Sequence, residues 1–205
     1  MLAPFPPLTG GMTQIAKSLC NNLKNDGHCV NEIDLGRGIL PLPLLYFKYL
    51  KSFWYCDIIH IISASGNALW LKDLPAIIIS RLYGKKVVLN FVGGKALKNF
   101  NNWSWLKKLP FKLTNAIVVP TNIFKKLIEE DIMSSETFTI PHVVDIDKFY
   151  SPIHLQKNNH VLIASKSFEK YSGYDFLIDV FKEIKKDFPA TQFWILGDGP
   201  EKNKI

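Results

Sequence analysis

The sequence lacks an uninterrupted apolar run of the length that crosses a bilayer, which is roughly 18 residues. Its longest candidate, from Ile39 to Tyr55, contains two prolines and is broken by Lys48 and Lys51. The first residues, MLAPFPPLTGG, have no basic start and are soon interrupted by proline and glycine, so they do not match a secretory signal. These features favour a globular protein without membrane-spanning helices.

Close cysteine pairs are also missing. The three cysteines are Cys20, Cys29 and Cys56, and their spacing matches neither a zinc knuckle nor a redox pair. An odd number of cysteines suits a reducing compartment, so we expect a cytoplasmic protein. No cluster of His, Cys and carboxylate residues predicts a metal site, and neither His60 nor His142 is a candidate catalyst, because such histidines are usually core or rim residues.

Acidic residues are scarce in the middle of the chain. From Pro41 to Lys112 there are 11 Lys and Arg residues against 2 Asp and Glu, a balance of +9 in a chain whose net charge is +7. Such a surface attracts anionic lipid, a phosphorylated substrate or nucleic acid. No recognisable nucleic-acid motif accompanies the lysines, so nucleic acid is not an expected partner.

Short β-rich runs alternate with helical periods along the chain. Apolar residues after Gly11 recur at i, i+3, i+4, i+7 and i+11 from Met12 to Leu23, which predicts an amphipathic helix ending near Gly27. A second helix is expected at about 67–83 and a third at 95–113, and Thr121 can cap another. Strands are expected at 28–35, 57–63, 86–92, 115–120 and 137–142. This alternation predicts an α/β fold with a doubly wound parallel sheet, whose ligands bind at the rim formed by the carboxyl ends of the strands.

The pattern changes at Tyr150. Residues 1–150 are predicted to form one Rossmann-like domain, although only Met1 to Pro4 remain to supply its first strand, which we expect to be clipped. Residues 151–160 are polar and irregular, as in a linker. A single strand–helix–strand unit fills 161–205, and because one such unit cannot bury its own faces, we expect the second domain to be incomplete.

A glycine pair opens the first helix, in PPLTGGM. Paired glycines let backbone N–H groups approach a phosphate at a helix N-terminus, but for this motif taken alone a plain strand-to-helix turn is the more common explanation. The lysine and hydroxyl of a Walker loop are absent, as is the GxGxxG spacing of nicotinamide dinucleotide sites.

Three further segments end strands. IPHVVDIDKF (140–149) reads locally as a loop before the linker. ASKSFEKYSG (164–173) carries two lysines that can neutralise a diphosphate leaving group, or that are ordinary surface lysines. GDGP (197–200) is a turn that can line a nucleotide pocket.

The order of these motifs resembles family 4 of the retaining GT-B glycosyltransferases, and the likeness extends to GHCV and NAIVVPTNIF. The resemblance implies two facing Rossmann-like domains, with the acceptor in the first and the nucleotide sugar in the second. It implies transfer of a sugar to a glycan or lipid-linked acceptor, with retention of configuration and with no metal or other cofactor. Such enzymes serve polysaccharide, lipopolysaccharide or glycolipid synthesis.

The resemblance also assigns residues. Gly10 and Gly11 match the loop that contacts the donor diphosphate, with Lys166 and Lys170 as its basic partners. The remaining assignments are Gly197, Asp198 and Gly199 in the nucleotide-sugar pocket and Asn90, Gly93 and Gly94 on the acceptor-side rim.

This sequence departs from the family pattern in three ways. Val92 stands where many members have histidine. Lys166 replaces an arginine, which keeps the charge but loses the bidentate fork. The family's pair of glutamates falls beyond Ile205, so we expect little or no transfer activity from these 205 residues alone.

The segment Lys95–Lys112 interleaves lysines with aromatic residues. Such a segment can lie on an anionic membrane surface and would place the protein peripherally at the inner face of the membrane. An ordinary packed helix with a solvated lysine face is the alternative. For the whole chain, the alternative to an enzyme is a non-catalytic acceptor module that binds a glycan or lipid.

Overall fold

The computed structural model divides into two units, and six parallel strands form the sheet of the larger one. The described residues are 1–6, 10–36, 42–94, 100, 102–132, 135–142 and 160–204. The units are Met1–Ile146 and Asp147–Ile205. The strands of the first unit follow the order β2-β1-β3-β4-β5-β6. Their bounds are β1 (Leu2–Ala3), β2 (Ile33–Asp34), β3 (Ile58–Ser63), β4 (Lys86–Phe91), β5 (Ala116–Val119) and β6 (Glu136–Thr139).

Helices connect successive strands. A π-helical turn at Leu69–Asp73 runs directly into α3, and the side-chain oxygen of Thr121 accepts a hydrogen bond from the Phe124 N–H at the start of α5, as predicted. The helices of this unit are α1 (Gly11–Asn25), α2 (Leu42–Phe53), α3 (Leu74–Leu82), α4 (Trp105–Lys112) and α5 (Asn122–Glu129).

The two faces of the sheet have separate cores, because alternate side chains of a strand point to opposite faces. Ile61 packs with α2, α3, α4 and α5 in the larger core. Its neighbour Ile62 packs with Ala16 and Cys20 of α1 in the smaller one. Helices therefore flank both faces, and the predicted α/β fold with a doubly wound parallel sheet is confirmed.

Several elements differ from the sequence predictions. Helix α2 was not predicted. The strand expected at 28–35 is reduced to Ile33–Asp34, the part that pairs with β1. The helix expected at 95–113 is confined to Trp105–Lys112; residues 102–104 are not helical, and 95–99 and 101 lie outside the described residues. At the position of the expected clipped strand, Leu2–Ala3 pairs with both β2 and β3.

The second unit contains β7 (Val161–Ser165), α6 (Tyr174–Asp187) and β8 (Gln192–Leu196). The two strands are parallel and paired along their whole length, from Val161 opposite Gln192 to Ser165 opposite Leu196. The rings of Phe181 and Phe193 stack with centroids 4.6 Å apart and join α6 to β8. The predicted linker and the IPHVVDIDKF motif lie largely outside the described residues, which resume at His160.

Candidate functional site

Strand order in the first unit creates a crevice at one rim of the sheet. From β1 the chain moves to β2 on one side, and from β2 it crosses to β3 on the other side of β1. In parallel α/β sheets, ligands bind at such a reversal, outside the carboxyl ends of the strands. Here the segments that follow β1 and β3 flank the reversal, and the segment that follows β4 is their neighbour.

The first turn of α1 follows β1 and carries the backbone N–H donors of a helix N-terminus at this rim. Gly10 precedes the helix at φ +144°, a backbone conformation that favours glycine. Gly10 has no side chain to cap the helix, and among the described residues no side chain accepts from the first-turn N–H groups. A Cβ atom added at Gly10 or Gly11 would meet no atom within 4 Å. This N-terminus has the polarity that suits an anion; Pro7, Leu8 and Thr9 lie outside the described residues.

Asp34, at the end of β2, fixes the segment after β1. Its Oδ1 accepts hydrogen bonds from the N–H of Phe5 at 3.0 Å and from the N–H of Gly36 at 2.8 Å. The second bond forms an Asx turn, which Asp favours in loops. Asp34 was not among the predicted site residues. The Asp-x-Gly spacing suggests the turn, but the bond to Phe5 depends on strand pairing that local sequence does not reveal.

The segments after β3 and β4 touch each other at Gly93. The N–H of Val92 donates to the Ser63 carbonyl oxygen at 2.9 Å. A Cβ atom at Gly93 would lie 2.6 Å from the Ser65 nitrogen and 3.2 Å from the Ala64 Cα, so only glycine allows this approach. Among the described residues, no atom lies within 4 Å of a Cβ atom added at Gly94. Asn90, on β4, is partly buried on the α1 side of the sheet, opposite Ile62 and Val118.

A buried carboxyl group lies behind the segment after β3. The Ser63 hydroxyl donates a hydrogen bond to Asp73 Oδ2, and Asp73 is 2% exposed. Burial raises the pKa of this carboxyl to about 7, although the hydrogen bond from Ser63 acts in the opposite direction. Asp73 closes the π-helical turn, a distortion that is common at functional sites. It therefore positions the rim segment without being exposed there.

In the second unit, the segments after β7 and β8 pack tightly together. The N–H of Phe168 donates to the Asp198 carbonyl oxygen at 3.0 Å, and the N–H of Lys166 donates to the Leu196 carbonyl oxygen at 3.2 Å. A Cβ atom at Gly197 would collide with the Lys166 carbonyl oxygen and the Phe168 ring. Phe168, which sequence analysis did not single out, is therefore the side chain around which this rim is built.

The charged groups of this rim are exposed. Lys166 Nζ lies 5.8 Å from the centroid of the Tyr171 ring. Asp198 accepts a hydrogen bond from the Gly199 N–H at 2.9 Å and lies 3.4 Å from Lys202 Nζ. These two contacts, the backbone bond first, lower the pKa of Asp198. Lys170 is exposed at the start of a short 3-10 helix, Lys170–Ser172.

The predicted site residues thus fall into two groups, one in each unit. Gly10, Gly11, Asn90, Gly93 and Gly94 belong to the strand ends or following segments of one sheet. At the rim of the other sheet, the Lys166 backbone approaches Gly197, and the Phe168 backbone approaches Asp198 and Gly199. Lys170 lies in the turn that follows. Their roles remain predictions.

The basic segment Lys95–Lys112 only partly resembles a membrane-surface helix. Phe100 and Phe111 are buried in the larger core, and Lys108 Nζ lies 2.8 Å from Asp131 Oδ2. Trp105, Leu106 and Lys107 are exposed.

In the described part of the chain, no helix has the length and apolarity needed to cross a membrane, and no group of three or more His, Cys, Asp or Glu residues is placed to hold a metal ion.

Comparison with known proteins gives one informative likeness. No family model matches the chain. An alignment 149 positions long, which covers 67% of the chain, shows 30% identity to an uncharacterized glycosyltransferase of Methanocaldococcus jannaschii. The aligned region covers 33% of that relative, so the chain spans about a third of the length of the protein it matches.

Proposed function

We propose that this chain is part of a glycosyltransferase that moves a sugar from a nucleotide-sugar donor to a glycan or lipid-linked acceptor. Similarity to a named glycosyltransferase supports glycosyl transfer in general. The finer proposal, a retaining GT-B enzyme of family 4, rests on the order of the motifs. We place the protein in the cytoplasm, at or near the inner face of the membrane.

The observation that carries the proposal is the N-terminus of α1, which begins after Gly10 at positive φ and lies beside the strand reversal. During transfer, the bond between the anomeric carbon and the diphosphate breaks, and its electron pair stays on the diphosphate oxygen. The acceptor hydroxyl oxygen bonds to the same carbon and loses its proton. Negative charge therefore grows on the leaving diphosphate, where oriented N–H groups and cations stabilise it most.

We assign this stabilisation to the N–H groups of the first turn of α1 and to Lys166 and Lys170, without a metal or other cofactor. The rim residues Asn90, Gly93 and Gly94 would face the acceptor, and Gly197, Asp198 and Gly199 would border the nucleotide sugar. The approach of the segments after β3 and β4 at Gly93 supports an ordered rim at this place. An acceptor with a lipid anchor would bring this basic protein to a membrane surface.

Isothermal titration calorimetry with UDP, GDP and pyrophosphate tests the diphosphate site. The informative variant is Gly11→Asp, compared with Gly11→Asn. Both side chains enter open space, and Asp in a first turn favours the helix, so folding is retained. We expect the carboxylate to weaken diphosphate binding at least about tenfold relative to the amide, since it brings a like charge to the anion. Equal affinities in the two variants, or no binding by the native chain, would contradict the assignment.

Product release measured with candidate donors separates binding from catalysis. We expect the 205 residues to bind a nucleoside diphosphate but to turn over little or no donor. Glycan or lipid binding without any nucleotide binding would instead identify a non-catalytic acceptor module.

A further inference from the structure

Helix α2 exposes an apolar and basic stripe on the side turned away from the sheet. Tyr49 and Phe53 are buried in the larger core. On the opposite side, exposed residues recur at i, i+3, i+4, i+7, i+10 and i+11, which is the period of one helical face continued into the following turn. They are Leu44, Phe47, Lys48, Lys51, Trp54 and Tyr55, with Leu50 beside them, and their apolar members are 44–84% exposed.

Helix α3 continues this surface, because specific contacts join its two ends to those of α2. The Tyr46 hydroxyl donates to the Leu71 carbonyl oxygen at 2.8 Å near the start of both helical segments. At the other end, Lys85 Nζ donates to the Trp54 carbonyl oxygen at 3.1 Å. The rings of Trp54 and Tyr83 meet edge to face there, with centroids 5.7 Å apart. The helices therefore run side by side in the same direction.

We call the combined surface the α2–α3 face. Its apolar residues exceed the scattered exposed hydrophobics that are normal on a soluble protein, and such patches mark interaction sites. Its members are Leu44, Phe47, Leu50, Trp54, Tyr55, Leu71, Ile78 and Leu82, with the cations Lys48, Lys51 and Arg81.

Charge on the α2–α3 face has one sign. Lys48, Lys51 and Arg81 are exposed, and none of them forms an ion pair within the described residues. The acidic residues between positions 42 and 94 are Asp57 and Asp73, and Asp73 is buried. Asp57 is exposed, so an occupant of this face meets a net positive charge, three cations against at most one carboxylate of this segment, beside apolar groups.

We propose that the α2–α3 face docks the protein on an anionic lipid bilayer. Leucine and phenylalanine side chains would enter the boundary between headgroups and acyl chains, while Trp54 and Tyr55 sit at the headgroup level. Long lysine side chains extend their ammonium groups to lipid phosphates while their stems remain apolar. With 12 residues, α2 is about 18 Å long, too short to cross a bilayer and long enough to lie on one.

The composition favours a bilayer over a protein partner. Protein interfaces are depleted of lysine, whereas two lysines stand within the apolar stripe of α2. The face also differs from the segment Lys95–Lys112, whose Phe100 and Phe111 are committed to the core. Docking through α2 and α3 does not depend on sugar transfer, so it can fail or hold independently of the proposed function.

Vesicle co-sedimentation tests the proposal. We expect the chain to bind vesicles of phosphatidylcholine with about one third phosphatidylglycerol and to dissociate from them at high salt. We expect no binding to vesicles of pure phosphatidylcholine. The double variant Lys48→Glu with Lys51→Glu should weaken binding at least about tenfold, given the roughly fivefold contribution of each basic residue at such a surface. Phe47→Ser with Leu50→Ser should weaken binding similarly at low salt, although this pair leaves the charge of the face unchanged.

Matched controls locate the surface. Lys17→Glu with Lys126→Glu makes the same charge change at exposed positions of α1 and α5, and it should reduce binding far less than the α2 pair. Trp105→Ser with Lys107→Glu tests the Lys95–Lys112 segment in the same way. Circular dichroism verifies that each variant is folded. The proposal is overturned if the control pair weakens binding as much as the α2 pair, or if only the variant with Trp105→Ser and Lys107→Glu does so. It is also overturned if the native protein does not bind anionic vesicles, the result expected of a surface that docks a protein.

Discussion

The hydroxyl group of Ser63 donates a hydrogen bond to the buried carboxyl group of Asp73, ten residues further along the chain. This bond connects the end of β3 to the π-helical turn that precedes α3, and so it closes the segment that forms one wall of the rim crevice. Ser63 is itself only 2% exposed, so neither group is solvated. The pair therefore couples a proton equilibrium to the position of this segment.

Asp73 gives the fold a pH dependence that Asp73→Asn removes. Burial raises the pKa of its carboxyl group to about 7, from the value of 3.8 for an unperturbed aspartate. A carboxyl with a raised pKa favours the folded state at low pH, and this stabilisation is lost as pH rises from about 4 to about 7. We expect Asp73→Asn to be more stable than the native chain at pH 8, by roughly 1–4 kcal/mol, with a smaller difference at pH 4. Urea unfolding at both pH values measures this.

His60 gives a pH dependence of opposite sign. Burial, and secondarily the N-terminal ammonium group, lowers its pKa to about 4 from 6.5, and its Nε2 has no hydrogen-bond partner within the described residues. A histidine with a lowered pKa costs stability as pH falls from 6.5 toward 4, because the unfolded chain takes up the proton first. We expect His60→Leu to lose this acid destabilisation, on the order of 1–3 kcal/mol between pH 7 and pH 4.

The two effects partly cancel in the native chain. Replacing His60 therefore reveals the effect of Asp73, and replacing Asp73 reveals that of His60. Urea titrations of both single variants and of the double variant separate them. A native chain whose pH profile matches that of His60→Leu would contradict the role given to His60.

Gly93 is predicted to tolerate no side chain. In Gly93→Ala the new methyl group would press on the backbone of Ala64 and Ser65 and on the Phe91 ring, so a strand end must move. We expect a loss of about 1–3 kcal/mol in the free energy of unfolding. Gly94→Ala is the matched control, because no described atom lies within 4 Å of a Cβ atom added there. Similar losses in both variants would show that the contact at Gly93 does not matter.

Thr121 is expected to stabilise α5 through its cap. The Phe124 N–H donates to the Thr121 hydroxyl oxygen at 3.4 Å, a long bond, so the loss in Thr121→Ala should fall at the low end of the range for caps, about 0.5–1 kcal/mol. Asn122→Ala, one position further on and also exposed, makes the same truncation without the cap. The difference between the two melting temperatures measures the contribution of the cap.

Local patterns predicted the elements whose burial follows a simple period. The stripe after Gly11 predicted α1, and Thr121 predicted the start of α5. Helix α2 was missed because its outer side carries Leu44, Phe47 and Leu50, which hides the polar face by which a surface helix is usually recognised. The apolar residues that obscured the helix are those of the α2–α3 face.

The site was predictable where glycine marks a close approach or a helix start, as at Gly10, Gly93 and Gly197. Asp34, Asp73 and Phe168 could not be found in this way. Each acts through a partner supplied by another element: the Phe5 N–H, the Ser63 hydroxyl and the glycines after β8. Contacts of this kind depend on strand pairing, which a local pattern does not contain.

Strand β1 imposes an order on assembly. Leu2 and Ala3 occupy an interior place in the sheet, yet Leu2 pairs with Ile61, about sixty residues away. Strands β3 to β6 can pair through successive short crossovers before β1 has both of its partner strands, β2 and β3, in place. Pairing between residues that are far apart in the sequence is slow. Leu2 and Ala3 would therefore be among the last residues of this sheet to reach their native position, which two strands that follow them in the chain must first define.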